Sequence, residues 1–142
     1  MTQKQKELLL KDLCTRLPYG VVIQEKCVEH DETFLPNTNV DRLVNIDVCD
    51  GTLMTNGGSF YHVDEVKPYL FPLSSMTDEQ KKEYNCWKHI VPVCRYEYGD
   101  VVEEDELFDS PASFEYLIEN HFDYYGLIPM GLAKDATGLN IY

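Results

Sequence analysis

The sequence predicts an α+β fold in which a small antiparallel sheet, arranged as a meander, is flanked by about three helices. Capping boxes at Thr2 and Thr77 mark two helix starts, and Ser110-Pro111 marks a third. Residues 40–66 alternate apolar and polar side chains and contain strong turn signals. A chain of 142 residues has the usual size of one domain, so we expect residues 1–142 to form a single domain.

The first helix is predicted to begin after Thr2, because Gln5 stands at the capping-box position. Pro18-Tyr19-Gly20 is expected to end this helix. Helical spacing places four side chains on its predicted apolar face: Leu10, Leu13, Cys14 and Leu17.

The second helix is predicted from Thr77 to about Lys88, with Gln80 completing the capping box. The third follows Ser110, and proline suits its first position because the amide there has no helical partner. Helical spacing predicts a shared face for Phe114, Leu117, Ile118 and His121. The last segment, 126–142, is expected to pack back on the body.

Strands are predicted at 21–28, 40–49, 52–55 and 60–66. Within 40–49, the alternation places Val44, Ile46 and Val48 on one face. Asp50-Gly51 predicts a two-residue hairpin turn, since both positions of such a turn favour positive φ. A second turn is predicted at 56–58.

Three segments are predicted to connect these elements. Residues 30–39 form a polar loop, and 67–75, which holds two prolines, forms an extended connector. Ile90–Tyr98 is predicted as a strand at a sheet edge, because Pro92 lacks an amide hydrogen. The acidic residues 100–109 after it are predicted to form a linker or loop.

Negative charge is concentrated in one part of the sequence. Residues 1–95 carry fourteen acidic against eleven basic side chains, whereas residues 96–133 carry ten acidic side chains and no lysine or arginine. A segregated negative field repels nucleic acid and anionic membranes and attracts basic partners. The charge pattern therefore predicts a binding protein without direct nucleic-acid or membrane contact.

Compartment and cysteine chemistry follow from composition. The sequence contains no apolar run long enough to span a bilayer and no uninterrupted apolar leader, which predicts a cytoplasmic protein. Five cysteines, an odd number at apolar periodic positions, are typical of reduced, buried thiols rather than of a disulfide framework.

Metal and cofactor sites are not predicted. Cys86, His89 and Cys94 lack a fourth ligand and the paired spacing of zinc knuckles. Cys49 and His62 could form a nucleophilic pair only if the fold brought them together, and structural cysteine is favoured. Phosphate-binding glycine loops are absent from the sequence. We therefore predict no catalytic residue, no metal and no cofactor.

Three segments carry a resemblance. They are LLLKDLCTRLPYGV (Leu8–Val21), VKPYLFPLSSMTDEQKKEY (Val66–Tyr84) and FDYYGLIPMGLA (Phe122–Ala133). In this order they resemble a family of uncharacterised proteins from gut Bacteroidales and their mobile elements. The resemblance implies a cytoplasmic protein that is phage- or element-borne, and it supplies no catalytic residues. The acidic segment, residues 96–109, departs from the family pattern.

Two functions from different classes are consistent with the sequence. The first is a non-enzymatic interaction protein whose acidic face, at about 97–123, binds a basic protein surface; the same carboxylates could instead serve solubility. The partner-binding residues predicted for it are Glu103, Glu104, Asp105, Glu106 and Asp109. The second is a small-molecule binder or enzyme. Its predicted pocket is lined by Tyr61, His62, Tyr69, Tyr124 and Tyr125.

The cysteine and histidine spacing yields a prediction about metal. Because Cys86, His89 and Cys94 are expected to be structural, a chelator should leave the melting temperature unchanged. In a structural zinc site, binding energy is folding energy, so chelation would destabilise the protein by several kcal/mol. Thermal melts with and without chelator, together with a zinc assay of the purified protein, distinguish the two outcomes.

Overall fold

The computed structural model describes residues 1–26 and 40–142, and it confirms the mixed α+β class. The described residues form three α-helices: α1 (Gln3–Arg16), α2 (Asp78–Cys86) and α3 (Pro111–Glu119). They also form eight strands: β1 (Val22–Glu25), β2 (Val40–Asp47), β3 (Thr52–Thr55), β4 (Phe60–His62), β5 (Val66–Leu70), β6 (His89–Glu97), β7 (Asp100–Phe108) and β8 (Lys134–Asp135). The predicted strand end at 27–28 and the loop at 30–39 lie outside the described residues.

The predicted small meander is confirmed only in part, because the main sheet is larger and mixed. Six strands lie in the order β4-β3-β2-β1-β5-β8, and β2, β3 and β4 form the expected antiparallel meander. On the other side of β2 the sheet continues through β1 and β5, and β8 then joins β5 in parallel. Strands β6 and β7 form a separate two-stranded sheet.

The predicted connector at 67–75 is wrong over its first part, because Val66–Leu70 is the strand β5. The backbone amide of Lys26 donates to the carbonyl of Glu65 at 2.7 Å, so these two residues form a hydrogen-bonded pair. Hydrogen-bonded and non-bonded pairs alternate from there along β1 and β5. Pro68, opposite Ile23, therefore directs its nitrogen away from β1. On the other side, pairing with β8 starts only at Tyr69. The absence of an amide hydrogen at Pro68 therefore costs the sheet no hydrogen bond.

The predicted face of β2 is also wrong at two positions. Leu43 is the fully buried residue, whereas Val44 and Val48 are exposed. An irregularity between Leu43 and Asn45 shifts the pairing with β3, and such a bulge turns the following side chains to the other face. The turn at Gly51 is longer than predicted, since four residues separate the paired Asp47 and Thr52.

The acidic segment 100–109 is not a loop. Asp100–Phe108 is the strand β7, which pairs with β6 along its whole length. Tyr98 and Gly99 form the two-residue turn between them, with φ of 50° and 88°. Two positive φ values are typical of the type I′ turn, whose twist matches that of the flanking strands.

The capping predictions are confirmed at the starts of all three helices, with reciprocal bonds at Thr2, Thr77 and Ser110. The buried face of α1 differs from the prediction. Leu9 and Leu13 are fully buried there, and the charged Asp12 and Arg16 are buried beside them. The other residues of the predicted face, Leu10, Cys14 and Leu17, are only half-buried.

The main core lies between α1, the six-stranded sheet and the C-terminal segment. Leu9 and Leu13 pack there with Ile23 and Leu43, and Leu127 and Leu132 cover them. A smaller cluster joins α3 to the segment before α2 through Met76, Tyr116, Leu117 and Phe122. The segment 126–142 thus packs on the body as the sequence predicted.

A buried polar cluster lies beside the main core. The guanidinium of Arg16 is fully buried; its Nε donates to Asp12 Oδ2 and its Nη2 donates to the carbonyl of Phe122, both at 2.8 Å. His121, at φ 58°, stacks on Tyr142 with ring centroids 3.7 Å apart. Burial raises the pKa of the Asp12 carboxyl although Arg16 opposes the rise.

Replacing Arg16 with alanine should destabilise the protein by about 3–5 kcal/mol, because it leaves the buried Asp12 without its counterion. The double variant Asp12→Leu/Arg16→Met should recover most of this loss, since apolar residues remove both charges together. Denaturant unfolding measures the free energies. Lys4→Ala, on the exposed side of α1, serves as the control. Equal stability of Arg16→Ala and Lys4→Ala would contradict the assigned role.

His121 should make the protein sensitive to acid. Burial, with Arg16 and Arg42 nearby, lowers its pKa from 6.5 to about 4. Between pH 6.5 and about 4 the unfolded state therefore binds a proton that the folded state does not. The free energy of unfolding has its full value above pH 6.5 and falls by about 3 kcal/mol as the pH is lowered to about 4. His121→Asn removes the titration and tolerates positive φ. Unfolding curves from pH 7 to 4 should show a weaker pH dependence for this variant, and matching slopes would refute the assignment.

Candidate functional site

Strands β6 and β7 form an arm, residues 89–108, that extends from the gap between α2 and α3. In the described part of the chain these two strands pair only with each other. The root of the arm is fixed by the side chains around Asp109. The Tyr84 hydroxyl donates to Asp109 at 2.5 Å, Lys88 lies 3.8 Å from the same carboxylate, and Ser110 donates to the carbonyl of Trp87.

The two faces of the arm differ in exposure. Cross-strand partners share a face, so the register assigns every side chain to one side or the other. We call one side the exposed face, because all its eight residues are exposed: Ile90, Pro92, Cys94, Tyr96, Val101, Glu103, Asp105 and Leu107. On the opposite face Val93, Val102 and Glu106 are half-buried, and Arg95 forms an ion pair with Glu106.

The exposed face combines apolar and acidic side chains. Its four large apolar residues retain much of their accessible surface: Ile90 66%, Tyr96 83%, Val101 57% and Leu107 48%. Glu103 and Asp105 lie between them along β7, and no basic residue belongs to this face. The whole arm carries six carboxylates and one guanidinium, that of Arg95, which lies on the opposite face.

The five predicted partner-binding residues therefore do not share one surface. Glu103 and Asp105 lie on the exposed face, whereas Glu104 and Glu106 lie on the opposite face and Glu106 pairs with Arg95. Asp109 lies at the root, where it bonds Tyr84. Sequence reasoning missed the apolar members of the exposed face. The available signal was Tyr98-Gly99 between two alternating segments, which is a hairpin pattern.

A cleft of about 340 Å³ lies between α2 and α3 beside the root of the arm. Three carboxylates and two aromatic rings line it, together with smaller side chains: Glu83, Trp87, Ala112, Glu115, Tyr116, Glu119 and Asn120. The hydroxyl of Tyr116 donates to Glu83 at 3.2 Å, and that of Tyr19 donates to Glu115 at 2.7 Å. The cleft continues the negative surface of the arm onto α3.

A second cleft, of about 300 Å³, lies between α1 and the turns that flank β3 and β4. It brings together Cys49 and His62, the pair that the sequence left open, with Asp50 and Asp64 also in the lining. Lys6 forms an ion pair with Asp64 and lowers the pKa of that carboxyl. In the described part of the structure the Cys49 thiol makes no hydrogen bond to His62, which an activated nucleophile requires.

The predicted tyrosine pocket is spread over several places. Tyr124 and Tyr125 contact each other edge to face, with ring centroids 5.1 Å apart. Tyr69 instead donates its hydroxyl to Gln24 at 2.6 Å. Tyr61, like Tyr125, packs against the main core. His62 lines the second cleft, and none of the four tyrosines lines either of the two clefts.

The described residues contain no group of three or more histidine, cysteine or acidic side chains placed to hold a metal ion. The prediction of buried thiols is wrong for the described cysteines, because Cys49, Cys86 and Cys94 are exposed and Cys14 is only half-buried. None of the helices in residues 1–26 and 40–142 has both the length and the apolar character needed to cross a bilayer. Comparisons of the chain with protein-family models, curated proteins and solved structures give no match.

Proposed function

We propose that this chain is a non-enzymatic interaction protein whose arm binds a basic protein surface. The observation that carries the proposal is the exposed face, where four solvent-exposed apolar side chains surround Glu103 and Asp105. Apolar side chains that contribute to no core, grouped on one face and bordered by charge, are typical of an interaction site. All eight residues of this face are exposed, so a partner can reach them.

Apolar contact supplies affinity in this proposal. Tyrosine is enriched among the residues that dominate binding energy, because it buries a large surface at a small cost in conformational entropy. Tyr96 is the most exposed of the four apolar residues and lies opposite Val101. A partner that covers this pair removes apolar surface from water, at about 25 cal/mol per Å² before the costs of association.

Charge supplies the choice of partner. The exposed face has carboxylates without any basic residue, and the neighbouring cleft adds Glu83, Glu115 and Glu119. Lysine or arginine on the partner would complement this field and accelerate encounter, whereas phosphate groups of nucleic acids or membranes would be repelled. If the chain is borne by a phage or mobile element, a host protein that binds nucleic acid has the required basic surface.

The two alternatives have less support. Solubility explains the carboxylates, but it does not explain Ile90 and Tyr96 on the same exposed face. A small-molecule binder or enzyme with a tyrosine-lined pocket requires Tyr61, Tyr69 and Tyr124 to converge. These residues lie in separate packing environments, and neither of the two clefts includes them.

The proposal predicts that charge reversal on the two faces has unequal effects. The probe is an end-blocked peptide of four lysine-valine repeats, titrated at low salt. Glu103→Lys/Asp105→Lys should weaken binding at least tenfold, because it replaces attraction by repulsion at the contact. The matched control, Asp100→Lys/Glu104→Lys, makes the same charge change on the opposite face of the same strand and should weaken binding less than about threefold.

A charge-neutral variant tests the apolar part. Tyr96→Ser should weaken binding about tenfold without altering the salt dependence. Equal losses from the two lysine variants, with no loss from Tyr96→Ser, would show that only net charge matters. That result would leave solubility as the better account of the acidic residues.

A further inference from the structure

We infer that the basic partner binds by adding an extended strand to the outer edge of β7. This inference rests on the proposed function and specifies how the exposed face is used. It depends on which backbone groups of the arm point outward, and the register determines this for every residue of both strands.

The tight turn fixes the hydrogen-bond pattern of the arm. Glu97 and Asp100 flank the two-residue turn at Tyr98-Gly99, and residues in this position exchange both of their backbone hydrogen bonds. Hydrogen-bonded and non-bonded pairs then alternate along the ladder. The residues of β7 whose amide and carbonyl groups point away from β6 are Val101, Glu103, Asp105 and Leu107.

The two outer edges of the arm are not equivalent. On β6 the outward positions are Ile90, Pro92, Cys94 and Tyr96. Proline has no amide hydrogen, so Pro92 interrupts the row of donors in its middle, and an incoming strand would lose a central bond there. The outer edge of β7 has a donor and an acceptor at each of its four positions. In the described part of the chain no other strand pairs with it.

The side chains along β7 define the chemistry of the incoming strand. Val101 and Leu107 lie near the ends of the edge, and Glu103 and Asp105 lie between them. A strand paired there places its own side chains beside these, on the same face. The complementary segment therefore carries basic side chains at every second position, so that two of them lie beside Glu103 and Asp105 while the alkyl stems of the others pack on Val101 and Leu107.

A second copy of this chain is a poor occupant of the edge. Antiparallel pairing of two β7 edges would bring the carboxylates of residues 103–106 of both copies side by side. Like charges directly opposite each other destabilise a sheet. Since the arm has six carboxylates and one guanidinium, the repulsion has no compensation within the pair. The occupant is accordingly a basic segment of another protein.

Amide hydrogen exchange tests the inference on the unmodified chain. With the lysine-valine peptide bound, exchange at Val101, Glu103, Asp105 and Leu107 should slow at least tenfold, and exchange at Cys94 and Tyr96 should not change. The same peptide with N-methyl groups on its four central residues retains charge and side chains but lacks the donors there, so it should not give this protection. Nuclear magnetic resonance resolves the individual amides.

Proline substitutions at two directly opposite positions of the arm, one on each strand, provide a second measurement. Glu103→Pro removes an outward donor from β7, and Glu103→Gln removes the same charge but keeps the donor. Cys94 lies directly opposite, so Cys94→Pro removes an outward donor from β6 alone. Glu103→Pro should bind the peptide about fivefold more weakly than Glu103→Gln, whereas Cys94→Pro should bind it as tightly as Cys94→Ala, which loses the same thiol but keeps the amide donor.

The outcomes separate the inference from the proposed function. Binding without alternate protection along β7, or with protection along β6 instead, would overturn strand addition and leave the basic-partner proposal standing. No binding of the peptide at low salt would overturn both. Equal affinity of Glu103→Pro and Glu103→Gln would also reject strand addition, because the outward amide of residue 103 would then contribute nothing.

Discussion

The fold depends on a charged side chain placed where a hydrophobic one is expected. Arg16, fully buried on α1, bonds Asp12 on the same helix and the carbonyl of Phe122, in the segment after α3. Phe122 in turn pairs with Phe71, directly after β5. One guanidinium thus joins the first helix, the sheet and the C-terminal third of the chain. Asp12 Oδ1 and Arg16 Nη1 lack partners, so the pair costs desolvation, and its contribution is to fix these elements in position.

The arm depends on this body for its place but not for its own hydrogen bonds. Its nine cross-strand pairs are internal, and in the described part of the chain polar contacts at Asp109 and Ser110 connect its root to the body. Isolated two-stranded hairpins are marginally stable in water. The tight turn at Tyr98-Gly99 and the anchored root compensate in part, and covering the exposed face with a partner would stabilise the arm further.

Structural features that depend only on residues adjacent in the sequence were predicted correctly. Helix starts at Thr2, Thr77 and Ser110 need only a cap and the next turn, and all three are correct. Two strands were missed for different reasons. The strand β5 contains Pro68, which is tolerated only because β8, distant in the sequence, begins one residue later. The strand β7 pairs with its neighbour β6, but its acidic residues have low strand propensity. At the site, charge identified Glu103 and Asp105. Apolar residues such as Ile90 and Tyr96 were missed because such residues in a strand normally form core.

The acidic residues of β7 reconcile two requirements that a free sheet edge imposes. An uncovered edge with apolar neighbours invites pairing with identical chains, and charged side chains are a common protection against it. In this arm Glu103 and Asp105 lie on the same face as Val101 and Leu107. Any partner that covers this face therefore also contacts the two carboxylates. The same two carboxylates that oppose self-pairing therefore select for a basic strand. Protection against aggregation and recognition of a partner are, on this edge, consequences of one charge pattern.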